Sequence, residues 1–301
     1  MKIFSGSSNK PLAEKIAKTL RIDLSSLEIH LFPDGEKRVR VLENVVGEDC
    51  VIVQPTNPPA DSAYMELFFI VDAVKRSGAK SATVVMPYVG YQRQDHVFRA
   101  GEAVSLEVVM KTLSAAGATK LIVFDLHSIR IEQASKIPLV HLSALPLFAE
   151  EIKKKGLDKN AMLISPDMGG IRRIRVLSEL LDGLTFGAIE KNRDLETGWV
   201  SASEIKELSG AFEKRAIIVD DMISSGKTIV TATDLLRGKG VEEICVFATH
   251  PVFSSGAAKM LQESSVHKVV VTDTINVAYE KQFPKLEILS IADMIAESLK
   301  Q

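Results

Sequence analysis

The segment Ala216–Thr228 is the part of the sequence that most constrains the fold. An apolar run of strand length, Ala216–Val219, ends in two adjacent carboxylates, Asp220 and Asp221. The small-residue loop Ser224–Thr228 follows, and the residues after it have the apolar spacing of a helix. A strand, an acidic pair, a loop and a helix in this order are typical of a ligand site at the carboxyl end of a parallel strand.

The loop and the acidic pair carry the groups that a sugar phosphate requires. Backbone N–H groups, hydroxyls and a helix N-terminus bind a phosphate, and adjacent carboxylates can hold sugar hydroxyls or a hydrated Mg²⁺. The candidate residues are Asp220, Asp221, Ser224, Ser225, Gly226, Lys227 and Thr228. We therefore expect a sugar phosphate to bind here.

Two other structures are compatible with parts of this segment. Gly226-Lys227-Thr228 is the end of a Walker A loop, but that motif needs a second glycine five residues upstream, where Asp221 stands. A P-loop nucleotide site is therefore disfavoured. A strand–turn–helix junction whose Asp and Ser only cap the helix explains one aspartate better than two, and it remains the alternative.

The composition is that of a globular protein without a nucleic-acid or membrane surface. The chain of 301 residues is long enough for two ordinary domains, and its residues are 46% hydrophobic and 25% charged. A net charge of −2 gives no basic patch, and no apolar run approaches the length of a membrane span. Cys50 and Cys245 lie in apolar runs and are interpreted as buried thiols of a cytoplasmic protein.

Short apolar runs alternate with helical patterns, which predicts an α/β fold of mainly parallel sheets flanked by helices. The predicted strands are Cys50–Gln54, Ala82–Met86, Lys120–Asp125, Met162–Ser165, Thr185–Glu190, Ala216–Asp220, Glu243–Thr249 and Lys268–Thr272, and the predicted helices include Ala63–Arg76, Leu106–Ala116, Leu145–Lys155 and Ile171–Leu181. We expect two similar α/β domains, residues 1–143 and 144–285, divided near Pro138–Pro146. Residues 286–301 are expected to pack back on the first domain.

A second candidate phosphate site follows another apolar run, at Ser165–Arg173. Gly169 and Gly170 allow close approach of the backbone to a phosphate, and a helix that begins near Ile171 points its N-terminus at it. Asp167 is a candidate ligand of Mg²⁺ bound to that phosphate. A tight turn explains the same residues, since Pro-Asp and Gly-Gly are common in turns.

Four further polar segments each have a functional and a structural interpretation. His127 follows a predicted strand and is either a ligand or a hydrogen-bonded structural residue. The loop Tyr91–His96 can contribute a cation, an amide and a carboxylate to a nucleotide, or it is a solvated loop. Phe32–Glu36 is typical of a hairpin turn. Lys191 and Arg193 can neutralise a transferred phosphoryl group, or they face solvent.

Taken in order, these segments resemble the ribose-phosphate diphosphokinases (PRPP synthases), and the resemblance covers nearly the whole chain. The matching motifs are Phe4–Ser8, Phe32-x-x-x-Glu36, Arg93–Asp95, Asp125–His127, Ser165–Gly170, Lys191-x-Arg193, Asp220–Thr228 and His250–Ser254. The resemblance implies two phosphoribosyltransferase-type domains. It also implies that the diphosphoryl group of ATP is transferred to the C1 hydroxyl of ribose 5-phosphate, which gives 5-phosphoribosyl 1-diphosphate and AMP.

The same resemblance implies roles for individual residues and a homo-oligomer of at least two subunits, because the nucleotide site of the family is shared between subunits. Asp220 and Asp221 would hold the ribose, and Ser224–Thr228 its 5-phosphate. His127 and Asp167 would bind Mg²⁺. The other implied sets are Phe32, Asp34, Glu36, Arg93, Gln94, Asp95 and His96 for ATP, Asp167, Gly169 and Gly170 for the diphosphate loop, and Lys191 and Arg193 as catalytic residues on a mobile loop.

The chain departs from the common bacterial and animal pattern of this family in three segments: Pro33–Gly35, His96–Glu102, and the acidic residues Asp194 and Glu196 after Arg193. These departures predict similarity to archaeal-type members and leave hexamer formation and allosteric regulation undecided. Two rival hypotheses are a phosphoribosyltransferase, which needs only the acidic loop, and a non-catalytic homologue. The retained nucleotide, Mg²⁺ and loop candidates favour an active enzyme.

Overall fold

Contacts divide the chain into two compact α/β units. The structure is a computed structural model that describes residues 1–128, 130, 131, 135–193, 200–206 and 212–300, without the side chains of residues 191–193 and 200–204. The first unit comprises Met1–Leu142, Thr274–Asn276 and Ser290–Gln301, and the second comprises Ser143–Asp273 and Val277–Leu289. The predicted domains 1–143 and 144–285 stay a prediction.

The first unit is built on a parallel sheet of five strands. In spatial order these are β1 (Lys2–Ser5), β4 (Asp49–Val53), β5 (Ser81–Val85), β6 (Lys120–Phe124) and β7 (Leu139–Leu142). A separate antiparallel hairpin pairs β2 (Leu27–Leu31) with β3 (Lys37–Val41), so the predicted hairpin around Phe32–Glu36 is confirmed. Its turn is closed by the Phe32 N–H, which donates to the Glu36 carbonyl at 2.8 Å.

The second unit contains a mixed sheet of seven strands. Their spatial order is β10 (Val200–Lys206), β9 (Phe186–Arg193), β8 (Ala161–Ser165), β11 (Arg215–Ile223), β12 (Glu243–Pro251), β13 (Lys268–Thr272) and β14 (Leu286–Leu289). Only the β9–β10 pair is antiparallel among the pairs of this sheet that the structure describes. β14 hydrogen-bonds to β13 and so extends this sheet past the predicted domain end at 285.

Helices connect the parallel strands in both units. In the described parts of the chain they are Lys10–Leu20, Ala60–Arg76, Ser105–Ala116, Leu145–Lys154, Ile171–Leu180, Lys227–Gly238, Ala257–Glu263 and Ala292–Lys300. β8 is buried along its length and β13 from its second residue on, because helices cover both faces of a parallel sheet. The predicted α/β class is confirmed. Within the described residues, every helix is too short or too polar to cross a membrane.

β9 and β11 are among the strands that extend beyond the sequence prediction. β11 does not end at Asp220 but continues to Ile223, because β12 runs beside it as far as Pro251 and supplies backbone partners. β9 includes Lys191 and Arg193, which the sequence assigned to a loop, because β10 returns antiparallel and pairs with them. Apolar pattern alone misses both extensions, since the added residues are polar or mixed and are held by the neighbouring strand.

Candidate active site

The acidic pair lies near the carboxyl end of the central strand β11. Asp221 is buried and Asp220 is half-buried. The Asp221 N–H donates to Asp220 Oδ1 at 2.9 Å, and the Met222 N–H donates to Asp221 Oδ1 at 3.0 Å. The following helix begins at Lys227 and its N-cap residue is Gly226, so neither aspartate occupies the capping position. The capping alternative is therefore wrong for the acidic pair.

One arginine faces both members of the acidic pair. Arg173 Nη1 lies 3.6 Å from Asp220 Oδ1, and Arg173 Nη2 lies 3.8 Å from Asp221 Oδ2. Burial and the neighbouring Asp221 carboxylate raise the pKa of Asp220 well above its usual range, and Arg173 opposes that rise. Asp167 adds to the same rise, so its carboxyl group belongs to this cluster of charge.

The loop after β11 leads into the N-terminus of a helix. Gly226 precedes the helix Lys227–Gly238 at φ 80°, a left-handed conformation that favours glycine, and the Lys227 N–H at this helix end donates to Ser225 Oγ at 3.4 Å. The Val230 N–H bonds to the Gly226 carbonyl at 3.0 Å and begins the helix. Ser224 and Ser225 are half-buried beside these amides. Such a helix end with hydroxyl neighbours is suited to an anion.

A neighbouring segment braces this loop. The Phe253 N–H donates to the Ile223 carbonyl and the Ser254 N–H donates to the Ser224 carbonyl, each at 3.0 Å. Phe253 is buried at φ 38° and packs edge-on against Phe283. The two bonds explain why a segment that follows β12 matters to a loop that follows β11.

The second candidate loop leaves β8, the strand next to β11. Asp167 Oδ1 accepts from the Gly169 N–H at 3.0 Å, and Ser165 Oγ donates to the Asp167 carbonyl at 2.6 Å. A Cβ at Gly170 would lie 2.3 Å from Ser165 Oγ, so this backbone approaches the serine more closely than any side chain permits. The helix begins at Ile171, as predicted.

The acidic groups at this end of the second sheet suit a hard cation. Asp167, Asp220 and Asp221 offer carboxylate oxygens, which Mg²⁺ prefers, together with waters and phosphate oxygens. No group of three or more metal-ligating side chains is found among the described residues. A set with few protein ligands is typical of Mg²⁺ carried on a substrate phosphate. His127, the other predicted ligand, belongs to the first unit.

In the first unit, the loop Tyr91–His96 is tied to the segment that follows β6. The His127 N–H donates to Gln92 Oε1 at 3.1 Å, and Gln92 is 1% exposed. Asp95 bonds to Ser128 and to His96, whose Nδ1 lies 2.6 Å from Asp95 Oδ1. Burial raises the pKa of Asp95, but these hydrogen bonds outweigh it and leave the pKa below the usual range.

Other predicted nucleotide residues lie on the β2–β3 hairpin of the same unit. Phe32 is half-buried, with its ring edge-on to His30 and below the Arg38 guanidinium, which is 5.7 Å from the ring centroid. Asp34 and Glu36 are exposed, and Asp34 Oδ1 accepts from the Glu36 N–H at 3.1 Å. The contacts that join the 91–96 loop to His127 do not involve this turn.

The remaining predicted catalytic residues are described only in part. Lys191 and Arg193 stand opposite Ala202 and Val200 in the β9–β10 pair, and their side chains lie outside the described residues. Arg93 and Gln94 lie on the loop that bonds to His127, where the Gln94 N–H donates to the Tyr91 carbonyl at 2.7 Å.

Sequence reasoning missed two residues that organise these loops. Gln92 directly precedes the predicted nucleotide residues Arg93–His96 but is buried, and its side chain accepts a hydrogen bond from the His127 N–H. Arg173 ends the segment Ser165–Arg173 and lies in the predicted helix Ile171–Leu181, but the sequence assigned it no role, and its contacts with the acidic pair are a structural finding. The only sequence signal for Arg173 is its place in the first turn of a helix that follows a Gly-Gly pair.

The chain is similar over its length to known proteins. Residues 1–117 match the family model for the N-terminal domain of ribose phosphate pyrophosphokinase, and residues 205–301 match a phosphoribosyl synthetase-associated domain. The chain is 37% identical to the ribose-phosphate pyrophosphokinase of Thermotoga maritima, over 99% of this chain and 94% of the relative. It is 40% identical to that of Aquifex aeolicus, over 100% of this chain and 95% of the relative.

A solved structure agrees with these relatives. The phosphoribosylpyrophosphate synthetase of Mycobacterium smegmatis is 32% identical, with a TM-score of 0.91 over 99% of this chain and 97% of that chain. These relatives are bacterial, so the comparisons do not bear out the expected similarity to archaeal-type members. Identity above 30% across almost the whole of both chains establishes the family. The chain belongs to the ribose-phosphate pyrophosphokinase family.

Proposed function

We propose that the chain acts as a ribose-phosphate diphosphokinase, which transfers the diphosphoryl group of ATP to the C1 hydroxyl of ribose 5-phosphate and releases AMP. The observation that carries the proposal is the placement of two phosphate-suited loops on the adjacent parallel strands β8 and β11. Parallel strands end at the same edge of a sheet, where ligands of such folds bind. Family membership selects the reaction among those that such a pair of loops can support.

The sugar side of the site is proposed to lie after β11. Asp220 and Asp221 would accept hydrogen bonds from the ribose hydroxyls, since a carboxylate is a strong acceptor with two oxygens. The backbone amides and hydroxyls of Ser224–Thr228 would hold the 5-phosphate at the N-terminus of the helix. This assignment fixes the sugar at both ends and so orients its C1 hydroxyl.

The residues proposed for the nucleotide side are those that the family resemblance implies. Asp167, Gly169 and Gly170 would hold the transferred diphosphoryl group, and the ATP-binding set would be Phe32, Asp34, Glu36, Arg93, Gln94, Asp95 and His96. His127 and Asp167 would hold Mg²⁺, which supplies positive charge on the diphosphoryl oxygens when bound. The loop Tyr91–His96 is held in place by the segment that follows β6. Gln92 accepts from the His127 N–H, and Asp95 hydrogen-bonds to Ser128.

In this reaction the protein mainly positions the two substrates and neutralises the negative charge of the transferred diphosphoryl group. The C1 hydroxyl oxygen forms a bond to the β-phosphorus of ATP and releases its proton to solvent, while the bond from that phosphorus to the α,β-bridging oxygen breaks and AMP leaves with that oxygen. No protein nucleophile is required. Lys191 and Arg193 would place cations on the charge that develops, which is the largest effect available in such transfers. Closure of their segment over the substrates would exclude water and limit hydrolysis of ATP.

Three finer properties belong to the same proposal. A nucleotide site completed by the hairpin of a neighbouring subunit requires a homo-oligomer of at least two chains. Location in the cytoplasm is proposed from the buried, unpaired cysteines Cys50 and Cys245, which suit a reducing compartment. No role for nucleic acid is proposed.

The nucleotide product tests the proposal. Purified protein is incubated with Mg-ATP and ribose 5-phosphate, and the nucleotides are separated by anion-exchange chromatography. AMP formed only when ribose 5-phosphate is present supports the proposal. ADP as the nucleotide product contradicts it, since a single phosphoryl group was then transferred. Absence of turnover favours the non-catalytic homologue, and consumption of added 5-phosphoribosyl 1-diphosphate with a free base favours a phosphoribosyltransferase.

A further inference from the structure

Arg173 stands against both carboxylates of the acidic pair. Its side chain is 17% exposed, and its two terminal nitrogens lie 3.6 Å from Asp220 Oδ1 and 3.8 Å from Asp221 Oδ2. These distances are longer than good hydrogen bonds but lie within ion-pair range. One guanidinium therefore faces two neighbouring carboxyl groups at once, as its planar fork of donors permits.

The charge around the acidic pair explains why a cation is needed there. Asp220 and Asp221 are adjacent in sequence and largely withdrawn from water, and Asp167 adds a third carboxyl group nearby. Like charges in such surroundings repel one another more strongly than in water. Without a cation, the two carboxyl groups would move apart or draw in solvent ions. Arg173 offsets part of this repulsion from within the fold.

The fold fixes Arg173 in this place. It occupies the first turn of the helix Ile171–Leu180, directly after the close approach of Gly170 to Ser165. A Cβ at position 170 would lie 3.5 Å from Arg173 Nη1, an ordinary contact distance, so the guanidinium packs directly beside this loop. The arginine is thus placed by the loop that follows β8, whereas its partners belong to β11.

We propose that Arg173 is a positioning residue for ribose 5-phosphate: it holds the Asp220 and Asp221 carboxylates in the orientation that accepts the sugar hydroxyls. Two backbone N–H groups each bond to one oxygen of a carboxylate. Arg173 lies within ion-pair distance of both carboxylates and so fixes their orientation relative to each other. The inference rests on the proposed function of this site, and it links the β8 loop to affinity for the sugar rather than to the nucleotide.

Steady-state kinetics of Arg173→Gln and Arg173→Lys test this role. The matched control is Arg175→Gln, an exposed arginine on the same helix whose guanidinium lies 6.0 Å from the Phe186 ring centroid. We expect Arg173→Gln to raise KM for ribose 5-phosphate about tenfold, a size typical of coupling between contacting charges. We expect kcat and KM for ATP to change less than about threefold. The substitution removes only the positioning of the bound sugar, which affects KM for ribose 5-phosphate and not the chemical step.

Restoration by the conservative variant separates charge from packing. Arg173→Lys keeps the charge and should recover part of the affinity for ribose 5-phosphate, whereas Arg175→Gln should behave as wild type. In addition, Asp220→Asn should raise KM less in the Arg173→Gln background than alone, because the two residues act through one another. Circular dichroism and urea unfolding establish that each variant is folded.

Contrary results are equally specific. A fall in kcat with unchanged KM for ribose 5-phosphate would make Arg173 a group that acts on the reacting phosphates, and would overturn the positioning role. Kinetics equal to those of Arg175→Gln would also overturn it, as would loss of folding in both Arg173 variants, which would indicate a structural role. If wild type forms no AMP, the proposed function itself fails, and that outcome is visible before any variant is compared.

Discussion

Lys37 Nζ lies 2.8 Å from the carboxylate of Glu66, whose side chain is 1% exposed. Glu66 also accepts hydrogen bonds from the Ser7 N–H at 2.7 Å and from Gln54 Nε2 at 3.0 Å. One buried carboxylate of the helix Ala60–Arg76 therefore joins the first residue of β3 to the loop after β1. Because Lys37 directly follows the hairpin turn, this contact also fixes the position of the turn within the first unit.

Replacement of Glu66 by Gln should destabilise the protein strongly. The substitution keeps the shape but leaves Lys37 without its anion, and breaking a buried ion pair by removing one partner costs about 3–5 kcal/mol. The matched control is Glu107→Gln, which removes an ion pair of the same 2.8 Å length to Lys111 but with both side chains about half exposed. That control should cost about 0.5 kcal/mol or less. Urea unfolding measures both, and equal losses would contradict the assigned importance of burial.

The stability that Glu66 contributes should depend on acid pH in a definite direction. Burial alone would raise the pKa of Glu66, but the bonds from Lys37 and Ser7 outweigh it and leave the pKa below that of an unfolded glutamate. The contribution is therefore complete above the unfolded pKa and is lost as the pH falls through the folded value. The difference in unfolding free energy between wild type and Glu66→Gln should shrink on acidification below about pH 4. A difference that grows in acid would mean that the pKa is raised instead.

Gly170→Ala should disrupt the loop after β8 through a single contact. The new Cβ would meet Ser165 Oγ at 2.3 Å, which forces the hydroxyl or the backbone to move. Overpacking of this kind costs about 1–3 kcal/mol. Ser165→Ala in the same chain should recover much of that loss, because the next contact, Ser165 Cβ at 3.4 Å, is ordinary.

Gly238→Ala is the matched control for this prediction, since a Cβ there meets nothing within 4 Å. It should be neutral or slightly stabilising, as expected at a helix end. Thermal unfolding and AMP formation are measured for the single and double variants. If the double variant is no better than Gly170→Ala, the clash with Ser165 is not the cause.

Lys191→Ala should lower kcat roughly 100-fold or more, because a cation that acts on the developing charge of the transferred group is lost. KM for ribose 5-phosphate should change little, as expected for a donor engaged mainly in the transition state. Lys206→Ala on β10, which removes an exposed lysine 3.2 Å from Glu190, is the control. Loss of ribose 5-phosphate affinity in Lys191→Ala with kcat retained would contradict the role assigned to this residue.

The sequence predicted elements that depend on local pattern and missed features that depend on neighbours. Apolar runs located strands such as β12 and β13 because buried parallel strands are apolar throughout. The last residues of β9 and β11 are polar or mixed, and only the pairing with β10 and β12 makes them strand. No local signal distinguishes such residues from the start of a loop.

In the candidate site, too, the sequence predicted features of local pattern and missed those that depend on neighbouring residues. Asp220 and Asp221 were recognisable because two carboxylates before a small-residue loop are a chemical pattern as well as a structural one. Arg173 and Gln92 were not, since their importance depends on the direction in which each side chain points after folding. Charged residues in helices and amides in polar loops are common in sequences. Only the contacts in the folded chain distinguish these two residues from others of their kind.

Phosphorus NMR of wild-type protein with Mg-ATP and ribose 5-phosphate tests the central claim most directly. Transfer of a diphosphoryl group to C1 predicts that the three ATP resonances decline while AMP and a sugar with a new 1-diphosphate appear in equal amounts. The 5-phosphate resonance should persist in the product. Formation of ADP with a singly phosphorylated C1, or loss of ATP without a new sugar diphosphate, would contradict the claim.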